Sequence, residues 1–267
     1  MLDYIKLYLD FSKIKLKTQI ESRLSFFILI ICKIVGFGAT GIMLWVMVDK
    51  FDFIGEWNPY EILLLFSFNM ITYAIAGCFF YDFFVQLPKR IRTGELDEVL
   101  IKPLNPTTYL ICRGVSAGYL GNVTVGLIAF FISVANLHII FSLKDILMLI
   151  LLIFGSSLIQ CSVFSFSYTP SFWLISNNGV RNIIGDLKSF SDYPIAIYNK
   201  VIQFLLTFMF PFGFISFYPS QYFLNKSDGA FFNTSFPILT ILVGLTLAFA
   251  GYKFWIFGLS HYQSTGN

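Results

Sequence analysis

The chain has 267 residues and a net charge of only +3, with 57% hydrophobic, 19% aromatic and 12% charged residues. Soluble domains devote roughly 25% of their residues to charge. At a mean hydropathy of +0.74 this chain cannot cover itself with a wetted surface, so its main solvent must be lipid, which excludes a soluble domain with a compact basic face for nucleic acid.

The first element, residues 1–17, reads as a helix lying on the membrane surface. Asp3, Lys6, Asp10, Lys13 and Lys17 recur at spacings of three and four, and Tyr4, Leu7, Tyr8, Phe11 and Ile14 follow the same period on another face. Such a helix beside a span belongs at the headgroup level.

Six apolar runs follow, each long enough for the about 20 helical residues that a bilayer crossing takes. They cover residues 24–48, 60–84, 109–135, 146–172, 201–224 and 236–257. The fold class is therefore an all-α polytopic membrane protein, a single domain over 1–267. The alternation of a transmembrane barrel is absent. GFGATG, Gly36 to Gly41, matches G-x-G-x-x-G in form only, because no strand precedes it. It and GVSAG, Gly114 to Gly118, read as places where helices approach closely. Lys33, two to three turns into the first span, is either snorkelling to the interface or a functional intramembrane charge.

The loop 86–107 holds the densest charge in the chain, in RTGELDEVLIKPLNP, braced by Pro88, Pro103 and Pro106. Leu96, Val99 and Leu100 fall on one face of a short helix there, and Glu98 is spaced for an ion pair with Lys102. Gly94 loosens the start and Pro103 limits the end, so the spacing predicts a stiff amphipathic element outside the membrane. Further on, Pro211, Gly213 and Pro219 interrupt the fifth run. Irregular backbone at membrane depth needs protein or a cavity around it, so this run is expected to break near Pro211 and continue as a partly re-entrant segment.

The bases segregate. Lys6, Lys13, Lys15, Lys17 and Arg23, then Lys89, Arg90, Arg92, Lys102 and Arg113, then Arg181, Lys188 and Lys200 fall on one side. Lys50, Lys144 and Lys226 fall on the other. The positive-inside rule places both termini and the 86–107 loop in the cytoplasm. The four cysteines form no C-x-x-C pair and read as small apolar side chains. No G-x-x-x-x-G-K-S/T, H-E-x-x-H or G-x-S-x-G occurs, so the chain offers neither a nucleotide-cradling loop nor a catalytic constellation.

Two stretches carry a family resemblance. IRTGELDEVLIKPLNP, Ile91 to Pro106, is similar to the R-x-G-x-L-D-x-x-L-x-x-P-L loop of the permease subunits of type-2 ATP-binding-cassette exporters. FWLISNNGVRNIIGDLKSFSDYPIAIYNKVIQFLLTFMFPFGFISFYPSQYFL, Phe172 to Leu224, resembles the same proteins in their bacterial six-span subfamily, with an Arg-containing loop, a Tyr-Pro, and a proline-broken span ending in a second Tyr-Pro. The resemblance implies a non-catalytic permease of the bacterial inner membrane. It dimerises with an identical or paralogous permease and docks cytoplasmic ATPase subunits, which carry the ATP and Mg; this chain holds no cofactor or metal, touches membrane lipids and binds no nucleic acid. By the same resemblance the 86–107 loop is a coupling helix, with Arg92, Gly94, Glu95, Leu96, Asp97, Leu100 and Pro103 docking or shaping it beside Glu98 and Val99. Arg181, Tyr193, Pro194 and Tyr198 would shape the second cytoplasmic loop, and Pro211 and Pro219 the re-entrant segment. The competing reading is a membrane-embedded immunity or sequestration protein that binds a peptide or lipid without transporting it.

Overall fold

The computed structural model describes residues 2–51, 57–174, 177–226 and 236–264. Every regular element among them is helical, and five helical stretches are long and apolar enough to cross a membrane: Arg23–Val46, Pro59–Arg92, Ala117–Asn136, Leu143–Phe172 and Pro237–Ser260.

Helix α1 (Leu2–Glu21) runs four residues beyond the expected stop and is tied to the start of the third span. Ser12 donates to the Cys112 carbonyl, and Gln19 both donates to the Val115 carbonyl and accepts from the Ala117 amide. Phe11 meets Tyr109 edge to face at 5.4 Å. Helix α2 (Arg23–Phe51) follows and is largely uncovered by the rest of the chain.

Helix α3 (Pro59–Ala76) begins sharply because Asn58 and Glu61 form a reciprocal capping box and Pro59 needs no amide partner there. The helical path does not stop at 84. It passes through a π turn (Gly77–Tyr81), then α4 (Asp82–Val85) and α5 (Leu87–Arg92), so the second span reaches Arg92. The π turn shifts the hydrogen-bond ladder, and the Cys78 carbonyl accepts from the Ser116 amide at 2.9 Å. That bond also explains a second difference. The expected span 109–135 is broken after α7 (Pro106–Arg113), and the long helix α8 (Leu120–Asn136) is reached through a 3-10 turn at Ala117–Tyr119.

Between these spans lies α6 (Glu95–Leu100), reached from α5 through Gly94 in the left-handed conformation at φ 70°, where a side chain would be strained. Helix α9 (Leu143–Tyr168) opens on a second capping box, Ser142 with Asp145, and packs along α13 (Phe236–Ser260). Gly155 and Gly244 face one another there. A Cβ on Gly155 would stand 3.0 Å from the Thr240 carbonyl, and one on Gly244 would strike the Gly155 carbonyl. This is the small-residue packing of membrane helices. In GFGATG, by contrast, only Gly41 touches another helix, at Phe66. Gly36 and Gly38 have open space around them.

The fifth run, 201–224, is not one helix. Helix α10 (Asn178–Ser189) precedes it. Then come two 3-10 turns, α11 (Lys200–Phe204) passing into a π turn (Leu205–Met209), a 3-10 turn at Phe212–Phe214, and α12 (Phe217–Leu224). Phe210 and Pro211 leave helical geometry, as an imide without an N–H requires. These pieces are held by a buried cluster in which Ile195, Leu206, Phe212 and Phe217 meet Trp57 and Ile62 near the start of α3 and Ile159 of α9.

Candidate functional site

The segment from α5 to α7 is mounted on the bundle by both charge and apolar contact. Arg90 is buried. Its guanidinium donates to the Asp82 carboxylate at 3.0 Å and to the Asp82 and Phe83 carbonyls at 3.2 Å, while Glu95 lies 3.9 Å from Arg90 and 3.4 Å from Arg113. Leu96 and Val99 are 0% and 1% exposed, packed with Phe83, Leu87 and Tyr109. The apolar face read from the sequence is therefore split. Two of its members anchor α6 to its own bundle, and only Leu100, with Ile101 beyond it at 84% exposure, points outward.

The expected Glu98–Lys102 pair does not form. The Lys102 ammonium instead donates to the Tyr109 hydroxyl at 2.8 Å and lies over its ring, because the chain turns at Lys102 and carries that side chain back toward α7. Arg92, Glu98 and Pro103 are exposed beside Leu100 and Ile101. Asp97 is held by the C-terminal tail, since Ser264 donates to its carboxylate at 2.7 Å. Burial, and secondarily the neighbouring Asp97 carboxylate, push the Tyr262 phenol up to about 12. A cleft of 570 Å³ opens here between Arg92, Ile91, Trp173, His261 and Tyr262.

The structure places the other sequence-predicted residues apart from this face. Arg181 is exposed on α10. Tyr193 packs against the cluster of Phe66 and Met70 on α3, Pro194 is buried, and Tyr198 meets Phe190 at 5.4 Å. Pro211 bends the backbone, and Pro219 is buried inside α12.

A polar chain that sequence reading passed over joins these parts. Gln160 of α9 donates to the Asn69 side-chain oxygen at 3.0 Å, and Asn69 of α3 donates to the Asp192 carboxylate. Ser216 closes the chain onto the Ser191 carbonyl. Asn69 and Gln160 were visible as lone amides inside apolar runs, and such groups are retained where a partner satisfies them. Lys33 turns inward instead of snorkelling, its ammonium 3.5 Å from the Tyr119 ring centre. Lys188 lies 4.7 Å from that of Tyr73. On the opposite end of the bundle a 530 Å³ cavity is lined by Glu61, His138, Asp145 and Tyr222, with Glu61 paired to Lys226 at 2.7 Å.

A bundle of five helical stretches long and apolar enough to cross a membrane, with a stiff charged element at one end, is the architecture of a multi-pass membrane protein. The family model described as ABC-2 family transporter protein matches residues 23–266, and the chain belongs to that family. Comparisons with curated proteins and with solved structures gave no match.

Proposed function

We propose that this chain is the membrane subunit of an ATP-driven exporter. Two permease copies, identical or paralogous, frame the path, and separate cytoplasmic ATPase subunits bind ATP and Mg. The chain itself catalyses nothing. It sits in a bacterial inner membrane with both termini cytoplasmic, and the pieces from α11 to α12 together make the remaining crossing, the fifth in chain order.

The observation that carries the coupling role is the mounting of α6. A force applied to Leu100, Ile101 and Glu98 is passed through Leu96, Val99 and Arg90 into a helical path that continues from Arg92 to Pro59. A loop tethered only by its ends would absorb that force. Here α6 acts as a fixed handle on the second span. Arg92, Gly94, Glu95, Asp97 and Pro103 shape and orient the handle. Pro211 and Pro219 serve release at the far side, and Arg181, Tyr193, Pro194 and Tyr198 shape the opposite flank of α3.

The test is the double substitution Leu100→Asp with Ile101→Asp, read by co-purified ATPase and its turnover. Burial of each side chain in a partner groove is worth about 1.5–3 kcal/mol, so the variant should insert and melt as the parent does while losing most of its bound ATPase. A variant that keeps both its partner and its turnover would show that this face is not the coupling element.

A further inference from the structure

We propose that α10 is a self-pairing helix. Its polar face packs in parallel against α10 of a second copy of this chain, with Arg181 of each copy meeting Asp186 of the other. The inference rests on the permease reading and specifies where its two copies touch.

Helix α10 has two faces. Ile184 and Leu187 pack onto the cluster around Ile195 and Phe212. The opposite face carries Asn178, Asn182, Gly185 and Ser189, all exposed, and a Cβ added to Gly185 would meet nothing within 4 Å. The helix lies along the half of α9 that leads to its C-terminal end. Asn177, which precedes it, donates to the Ser167 carbonyl, and Asp192, which follows it, reaches Asn69 beside Gln160. The separation of Ser167 and Gln160 along α9 amounts to about 10 Å. A polar helix face lying against a membrane-spanning helix is better matched by another polar helix than by lipid.

The spacing says which helix. Asn178, Asn182, Gly185 and Ser189 are separated by four, three and four residues, the alternation of inner positions in a two-stranded coiled coil. On that register Arg181 and Asp186 occupy opposite flanks, five residues apart. In parallel two-stranded pairs, the flanking residue of one helix meets the partner's residue five positions further on. Arg181 and Asp186 therefore complement each other twice across a two-fold axis. Two copies inserted by the same topological rule run their α10 helices in the same direction, as this pairing requires. Lys188, on the same flank as Arg181, is turned away onto Tyr73 and takes no part.

Small polar residues at the inner positions let two backbones approach closely, and an amide at such a position favours one register. The face is self-complementary, so the predicted assembly contains two copies of this chain.

The experiment uses the full chain in liposomes. Donor- and acceptor-labelled copies are mixed, and energy transfer reports the dimer fraction. Arg181→Asp and Asp186→Arg each place like charges opposite one another, so each alone should lower the dimer fraction roughly tenfold, and the two together should restore it. In a background without native cysteines, Asn182→Cys should cross-link between copies on oxidation, while Ile183→Cys, one position round the helix, should not. Restoration by the double swap alone sustains the proposal even if the cysteine-free background folds poorly. A dimer that ignores both swaps and does not cross-link at 182 overturns this face while leaving the permease reading intact. Failure of the unaltered chain to retain any ATPase counts against the permease reading instead, whatever α10 does.

Discussion

Helix α2 and the path from α3 to α5 are comparably apolar, yet 11% of the apolar stretch of the first is buried and 72% of that of the second. Hydropathy reports only that a stretch tolerates lipid. What separates the two is the distribution of polar atoms. The first carries Lys33 and little else that needs a partner, whereas the second carries Ser67, Asn69, Thr72 and Arg90, all buried and all hydrogen-bonded. A buried hydrogen-bonding group is tolerable only when its partner is fixed, so the polar residues identify the helix that the bundle is built around. A lipid-facing helix needs no such partners, and α2 is held instead by close packing, with Gly118 and Gly121 lying against Leu29 and Ile30.

The sharpest way to break this contrast is at Arg90. Arg90→Ala strips the buried guanidinium from the Asp82 carboxylate, itself 31% exposed, and from two carbonyls, and each acceptor left unpaired costs about 1–3 kcal/mol. The variant should lose most of its monodisperse protein in detergent at the parent's melting temperature. An unchanged melting curve would show that this end of the second span is not held by its charges. A smaller effect belongs to Asn69→Leu, which abandons the Gln160 amide and the Asp192 carboxylate. The cost of buried groups left unpaired is about 1–3 kcal/mol, and protease sensitivity should rise within 190–198, the segment that Asn69 holds. Equal sensitivity there would place the anchoring elsewhere, at Ser216 or the Ile195 cluster. The smallest effect should come from α2. Val35 is 64% exposed, so Val35→Leu should stay within about 0.5 kcal/mol of the parent. A large loss would mean that another chain covers this helix in the membrane.

Particular residues explain what the sequence made legible. The start of the second span could be read because Asn58, Pro59 and Glu61 are a helix-start signal regardless of context. Its end could not, since the π turn at Gly77 depends on the Tyr119 ring lying where a Cβ would be and on Ser116 reaching the Cys78 carbonyl. Both partners come from some forty residues downstream. The 86–107 loop was visible through Gly94 and its prolines, but not which way its helix faced. Leu96 and Val99 have the same spacing whether they meet a partner or their own bundle, and only Phe83, Leu87 and Tyr109 decide it. The fifth run announced its interruption through Pro211. The extent of the interruption was hidden, because Asp192 and Tyr193 look like loop residues until Asn69 and Met70 are seen beside them.

The attachment of α1 bears on the order in which the molecule is completed. Its hydrogen bonds go to residues 100, 96 and 98 positions away, at Cys112, Val115 and Ala117. At ribosomal rates of about 5–20 residues per second, α1 waits several seconds after its own synthesis, through that of α2 and of the path from α3 to α5, before its binding surface exists. Helix α1 is thus seated late, and its docking reports that the segments from α2 to α7 have found one another.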